Sequence, residues 1–186
     1  MDYFIHKGYL HLVEEYAKDL NVIIEIEPLF VRRSQIRNCI EKGDVEGCVN
    51  EINNLDPNLI NTNLDINFYL ILYKGYENAY MMHKNNIDDN KIIEIILYLK
   101  KHISNVSSRY FYELETFLEY LIFNSDDFKI ESKRENLADK INILILKNYD
   151  IKENKLESII KRIVTEENAL AQKNKFTEFK SMITKI

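Results

Sequence analysis

The sequence predicts an all-α fold of about nine or ten antiparallel helices, a short N-terminal helical hairpin followed by a helical bundle. Three observations predict it. Apolar residues recur three and four positions apart through most of the chain, as in helices that bury one face. Glycine and proline number only 4 and 2 in 186 residues, too few for the many tight turns of an all-β protein. The periodic segments are long, and the gaps between them are short and polar.

Residues 1–20 give a short helix, a break at Gly8 and a second helix. Tyr9, Leu12, Val13 and Tyr16 form its apolar stripe at i, i+3, i+4 and i+7. Helices this small cannot bury their faces alone, so they need either the rest of the chain or another copy of it. Residues 21–28 are β-prone in composition, but isolation and the closing Pro28 make them a connector.

A helical hairpin with its own punctuation follows. Ile36 and Ile40 share one face of a helix over 29–42. Gly43 stops that helix, because glycine tolerates the left-handed conformation of a C-terminal cap. Asp44 stands where a carboxylate can cap the next helix, whose apolar positions are Val45, Cys48, Val49, Ile52 and Leu55. Asp56-Pro57 closes the unit, with the proline suited to the first position of another short helical turn.

A longer helix over 64–84 carries Phe68, Leu72 and Tyr76 along one side, with Tyr69, Tyr73 and Tyr80 nearby. The polar stretch 85–90 contains Asp88-Asp89, good N-cap chemistry, and marks the best internal boundary. Residues 91–103 place Ile92, Ile96, Leu99 and Ile103 on one face, with Ile93 and Leu97 widening it. Ser107 or Ser108 caps a helix running to Phe123, with Phe111, Leu114, Leu118, Leu121 and Ile122 inward. After a polar linker over 124–133, one helix is marked by Leu137, Ile141, Leu144 and Ile145. Another is marked by Leu156, Ile159, Ile160 and Ile163, and a final one spans 176–183. The chain thus divides into units over 1–28, 29–86 and 87–186. A tetratricopeptide array is excluded, because its roughly 34-residue period is absent.

The charge balance narrows the function. Net charge is −5, and the basic pairs Arg32-Arg33, Lys100-Lys101, Lys133-Arg134 and Lys161-Arg162 are scattered and offset by acids. They read as solvated surface, and no nucleic-acid partner is expected. Without a basic groove, the 12 Tyr and 9 Phe are core and interface aromatics rather than base-stacking platforms. No membrane association is expected: the longest apolar-rich run, 66–73, is too short to span a bilayer, and the N-terminus does not read as a secretory signal. Cys39 and Cys48 occupy apolar helical positions and suit a reducing compartment.

The residue patterns hold no familiar catalytic motif. His6, His11, His83 and His102 lie on separate elements, with no HExxH or CxxC, so no metal site is expected. Neither a Gly-x-Ser-x-Gly elbow nor a phosphate-cradling glycine loop occurs. Glu113, Glu115 and Glu119 cluster on one helix. Paired carboxylates can do acid/base work, but on a helix otherwise rich in Phe and Leu they read as solvated. A competing reading, an enclosed small-molecule or catalytic site, would show as a deep polar pocket with a shifted carboxylate, for example at Glu115.

The order of segments carries a family resemblance. Tyr3-Phe4-Ile5, Gly8-Tyr9, Leu12-Val13 and Tyr16 resemble the LisH motif. Ile36-Arg37, Ile40, Gly43, Val45, Cys48, Val49, Ile52-Asn53, Pro57 and Leu59 resemble the CTLH pattern, with Cys48 in place of its alanine. Glu113-Leu114-Glu115 through Leu121-Ile122-Phe123, then Leu137-Ala138, Ile141-Asn142 and Ile145-Leu146, resemble segments of the CRA domain. The chain is therefore similar to the LisH-CTLH-CRA family over nearly its whole length. Tyr73 stands where that family commonly has glutamine.

The resemblance implies a non-catalytic scaffold subunit of a GID/CTLH-type E3 ubiquitin ligase, without a cofactor, in the cytoplasm or nucleus. Its partners would be RING-type ligase subunits, other LisH-CTLH-CRA proteins and a substrate receptor. Homo- or hetero-oligomers would form through the LisH and CRA faces. The LisH-like residues Tyr3, Phe4, Gly8, Tyr9, Leu12, Val13 and Tyr16 are the candidate interface it points to. The alternative it leaves open is an interaction protein outside any ligase, in a cytoskeletal or transport assembly.

Overall fold

Ten α-helices and no strand make up the regular structure among the described residues, which are 1–85, 90–103, 108–123, 129–151 and 155–174 of a computed structural model. In chain order they are α1 (Asp2–Lys7), α2 (Leu10–Leu20), α3 (Pro28–Lys42), α4 (Val45–Leu55) and α5 (Leu59–Thr62). There follow α6 (Leu64–Lys84), α7 (Asn90–His102), α8 (Phe111–Phe123), α9 (Ile130–Asn148) and α10 (Lys155–Asn174). A 3-10 turn, Ser108–Tyr110, leads into α8. The expected caps at Asp88-Asp89 and Ser107, and the final helix over 176–183, lie outside the described residues.

The punctuation of the α3–α4 hairpin is built as the residue types require. Gly43 adopts φ 79°, and the amides of Gly43 and Asp44 return to the carbonyls of Ile40 (3.1 Å) and Cys39 (2.9 Å). Asp44 Oδ1 then accepts from the amide of Gly47 at 2.8 Å and caps α4. At the start of α3, Pro28 occupies the first turn, where its missing N–H costs nothing. Pro57 is a correction: it sits in the turn before α5 rather than inside it, with Asn58 at the cap. The connector 22–27 carries no regular structure, and Ile23 within it is 98% exposed.

α6 is the axis of the bundle because it is apolar on two opposite faces. Ile66, Leu70 and Tyr73 join Ile36, Ile40, Cys48, Ile52 and Leu59 in one core, closed by Leu137, Ala138, Ile141 and Ile145 of α9. Phe68, Leu72, Tyr76, Ala79 and Met82 face a second core made with α7, the 3-10 turn, α8 and the first residue of α9. The Tyr73 hydroxyl, buried at the end of α3, donates to the Ile40 carbonyl at 2.9 Å. It thereby adds a second donor, beside the Gly43 amide, to a helix-end carbonyl.

Two helices are rotated relative to the sequence expectation. In α7 the buried residues are Ile95 and Leu99, while Ile93, Ile96 and Leu97 are exposed. In α8 they are Phe117, Tyr120 and Leu121, while Phe111, Leu118 and Ile122 face outward. The cause is the same in both. Apolar residues surround most of the circumference, so periodicity alone does not choose a face. Packing chooses it: the Phe117 ring meets Tyr76 edge-on at 4.9 Å and lies against Gly75 of α6. The linker expected over 124–133 is shorter, because α9 has begun by Ile130.

Arg134 of α9 forms two hydrogen bonds to Glu77 of α6, at 2.8 and 2.7 Å, directly over Gly43. A methyl group added at Gly43 would lie 2.5 Å from Arg134 Nη2. Gly43→Ala combines that clash with a left-handed backbone and is expected to destabilise the protein by about 1–3 kcal/mol. Asp44→Ala is expected to cost about 1 kcal/mol. Both would be read as lower urea midpoints at an unchanged slope.

Candidate interaction site on the N-terminal hairpin

A six-residue helix ends with carbonyls that no later turn can satisfy. In α1 the last carbonyls are those of Ile5, His6 and Lys7; Ile5 O also takes the Gly8 amide at 3.3 Å, and side chains of α3 and α9 supply the other donors. Arg33 donates to Ile5 O and His6 O, both at 3.0 Å, and to Asn142 Oδ1 at 2.8 Å. Asn142 Nδ2 also donates to His6 O, at 2.9 Å. Arg37 donates through Nε to Lys7 O at 2.8 Å and through its terminal nitrogens to the Tyr9 hydroxyl, Glu41 and Asp139. The Tyr9 ring lies 4.4 Å from the Arg37 guanidinium carbon, a cation–π contact.

Both guanidiniums are nearly sealed from solvent, Arg33 at 4% and Arg37 at 2% exposure. Arg37 is neutralised by Asp139, which Lys7 also reaches at 3.3 Å. Arg33 bonds only neutral acceptors. Burial and the like charge of Arg37, opposed by Glu27, pull its pKa down to about 10, so it stays charged at neutral pH. The positive charges lie at the C-terminal end of α1, where the helix dipole favours them. Gly8 supplies the left-handed turn, φ 84°, that brings the α1 carbonyls to this cradle.

These contacts correct the reading of Arg33 and Arg134 as solvated surface. Arg33 is core, and Arg134 is tied to Glu77. The spacing Arg33, Ile36, Arg37, Ile40 already follows the buried stripe of α3, as Asn142 follows that of α9 between Ile141 and Ile145. That spacing was the signal available for both.

The LisH-like residues fall into two sets. Gly8 and Val13 are buried and serve the chain's own packing, and Tyr9 is held under Arg37. Tyr3 and Phe4 are half-buried with edge-to-face rings, and Leu12 is half-buried. Tyr16 is exposed and shares the outer edge of α2 with Leu12 and Leu20, four residues either side. Of the CTLH-like set, Ile36, Arg37, Ile40, Cys48 and Ile52 are buried, and Val45 packs against them. Asn53 and Pro57 are exposed.

A pocket of about 210 Å³ lies between α6, α8 and α9. Its carboxylates are Glu77 and Glu113, whereas Glu115 lies outside it, exposed on α8. Burial opposes ionisation of Glu113, but hydrogen bonds from Lys140 (3.1 Å) and the Tyr69 hydroxyl (3.2 Å), with the Lys140 charge, outweigh it. They hold the carboxyl below its ordinary pKa. That is an ionised structural partner, the opposite of a general acid with a raised pKa. Among the described residues, no group of three or more His, Cys, Asp or Glu could hold a metal ion, and no helix is long and apolar enough to cross a membrane.

Replacing Arg37 with alanine removes charge-assisted bonds to α1 and Asp139, and about 2–4 kcal/mol of stability is expected to go with them. Hydrogen exchange should then rise first in α1 and α2, with α6 and α9 still protected. Acid acts elsewhere. A depressed glutamate pKa stabilises the fold above the unfolded-state value, and that contribution is lost as pH falls through the folded value. The α8–α9 contact through Glu113 is therefore expected to persist at pH 5 and to weaken only below the ordinary glutamate range. Exchange of the α8 amides against pH would show it.

Comparison with known proteins agrees with this architecture. The model of the "CTLH/CRA C-terminal to LisH motif domain" family matches residues 29–171. The "Glucose-induced degradation protein 8 homolog" of Nematostella vectensis is 25% identical over 182 residues, covering 93% of this chain and 78% of the relative. The "Protein GID8 homolog" of Arabidopsis thaliana is 20% identical over 195 residues, covering 99% and 77%. No solved structure matches. With α3 to most of α10 inside the matched span, the chain belongs to the family of CTLH/CRA domains that lie C-terminal to a LisH motif.

Proposed function

We propose that this chain is a non-catalytic scaffold subunit of a GID/CTLH-type E3 ubiquitin ligase, joining a RING-bearing module to a substrate-receptor module. Two relatives named for glucose-induced degradation protein 8, each aligned over most of both chains, support the assignment. The observation that carries the scaffold role is the rigid docking of the N-terminal hairpin with its outer edge left open. Arg33 and Arg37 fix α1 and α2 on α3 and α9, so that Tyr16 and Leu20 project from a preorganised support. Preorganisation lowers the ordering cost of association. Exposed apolar residues on α7 (Ile93, Leu97), α8 (Phe111, Phe123) and α10 (Ile159, Ile163) offer further contact surface on the CRA-like side.

In this reading residues 1–28 are the LisH-like hairpin and connector, 29–86 the CTLH-like unit and 87–186 the CRA-like unit. The protein works in the cytoplasm or nucleus, with RING-type subunits, other LisH-CTLH-CRA proteins and a receptor as partners. It binds neither nucleic acid nor membrane. The pocket carboxylates give no support to an enzymatic reading, because each is engaged by a cation.

Co-expression with the RING-bearing and receptor subunits of the same source, followed by affinity capture and light scattering, tests the proposal. The wild type is expected in a complex larger than itself. The pair Tyr16→Glu and Leu20→Glu is expected to weaken capture at least about tenfold while leaving the melting temperature within a few degrees. Wild-type protein that stays monomeric and captures no RING-bearing subunit overturns the reading. Capture of cytoskeletal or transport proteins alone would replace it with the alternative family role.

A further inference from the structure

Residues 22–27, between α2 and α3, keep a β-prone composition that the helical fold does not use. Their backbone neither bends nor turns, none has a positive φ, and Glu27 is extended at φ −69°, ψ 138°. Exposure alternates as along a strand: Ile24 and Ile26 are half-buried, whereas Ile23, Glu25 and Glu27 are exposed. Both ends of the segment are fixed. Asn21 closes α2 in the left-handed conformation, φ 52°, and Pro28 opens α3.

Among the described residues, no hydrogen bond engages the amides of residues 23–27 or the carbonyls of residues 22–26. An extended segment in this state presents the donors and acceptors of an unpaired sheet edge. The chain offers it no strand among the described residues. A second copy would make a two-stranded ribbon, marginal in water, with acids crowded together. Glu25 and Glu27 carry two negative charges, and no cation stands between Asn21 and Pro28 to offset them. Cations on the same face of a neighbouring strand would complement them, and lysine is what sheets commonly place on their edges.

We propose that residues 22–27 add a strand to the open edge of a sheet in a partner protein, an edge that carries lysine or arginine beside Glu25 and Glu27. Backbone hydrogen bonds supply the pairing, Ile23 is covered by the partner, and the two carboxylates select among edges. Because α2 and α3 already hold both ends of the segment, little ordering is left for association to impose. The inference stands apart from membership of a ligase, because it concerns a backbone edge and its charge.

The probe is a soluble β-hairpin closed by a disulfide, its outer strand reading Lys-Val-Lys-Val-Lys, so that the added strand completes a sheet larger than a ribbon. NMR of the isotopically labelled full chain is expected to show saturable shifts, slowed amide exchange and inter-strand contacts confined to 22–27 and its flanks. The same hairpin N-methylated along its outer edge cannot pair, and one with glutamate for lysine repels. Each is expected to bind at least about tenfold more weakly. Successive amides of a strand point to opposite edges, so either Ile23→Pro or Ile24→Pro is expected to remove the protection. Ile23→Pro costs no packing, because that side chain is 98% exposed. A dispersed amide spectrum shows that each variant is folded, and the N-methylated hairpin keeps the test independent of both. No protection of 22–27 by the lysine hairpin, equal binding of either control hairpin, or unchanged binding in both folded proline variants would each overturn the proposal. Protection that grows with the concentration of the chain alone would assign the segment to a second copy and overturn it as well.

Discussion

Two arginine cations are buried on one face of α3, and most of the N-terminal half follows from the need to give them acceptors. A buried guanidinium left without partners costs far more than a lost surface ion pair. Arg33 and Arg37 therefore require a local concentration of carbonyl, amide and carboxylate oxygens. The last turn of α1 supplies the carbonyls of Ile5, His6 and Lys7, and α9 supplies Asn142 and Asp139. Each side meets most of the other's need, with Arg33 Nε the buried guanidinium nitrogen that keeps no acceptor. The hairpin is thus fixed to the body through backbone oxygens, which tolerates side-chain change in α1 while holding its position.

The same economy of polar groups recurs at the other end of α3. There the Tyr73 hydroxyl reaches the Ile40 carbonyl from α6, and the Glu77–Arg134 pair closes over Gly43. The Tyr73 phenol donates to a helix-end carbonyl. Burial pushes its pKa well above the ordinary tyrosine value, so it remains a donor at any physiological pH. α6 can serve both cores because its polar obligations are met at their edges.

How much of this was legible in the sequence differs by element. The α3–α4 hairpin was readable because its signals are local: a glycine at the stop, an aspartate at the cap and apolar residues in phase. α9 was readable for the same reason through Leu137, Ile141 and Ile145. The inward faces of α7 and α8 were not, since their apolar residues nearly encircle each helix and only contact with α6 selects Ile95 and Phe117. Arg33 was misread for a different reason. Charge normally indicates solvent, and its acceptors lie far away in sequence, at Ile5, His6 and Asn142. The candidate interface was half legible: periodicity grouped Val13 with Tyr16, and only the docking of α2 sends one inward and leaves the other exposed.

That division gives the LisH-like hairpin its physical meaning. Had Tyr9, Val13 and Tyr16 all been free, the hairpin would have been an unanchored amphipathic segment, and binding would have had to order it first. Holding Tyr9 under Arg37 and Val13 in the core commits one face of α2 to the chain itself. What the fold leaves uncovered or half-covered is a narrow edge, Leu12, Tyr16 and Leu20, on a support already ordered. A narrow edge buries little area, so it suits one contact among several rather than a whole interface. The outward apolar residues of α7, α8 and α10 lie on elements that contribute little to the α3–α4 core, and so can be contacted without disturbing it. A chain built this way holds its shape with polar groups inside and offers apolar groups outside, the arrangement expected of a part that is stable before it is assembled.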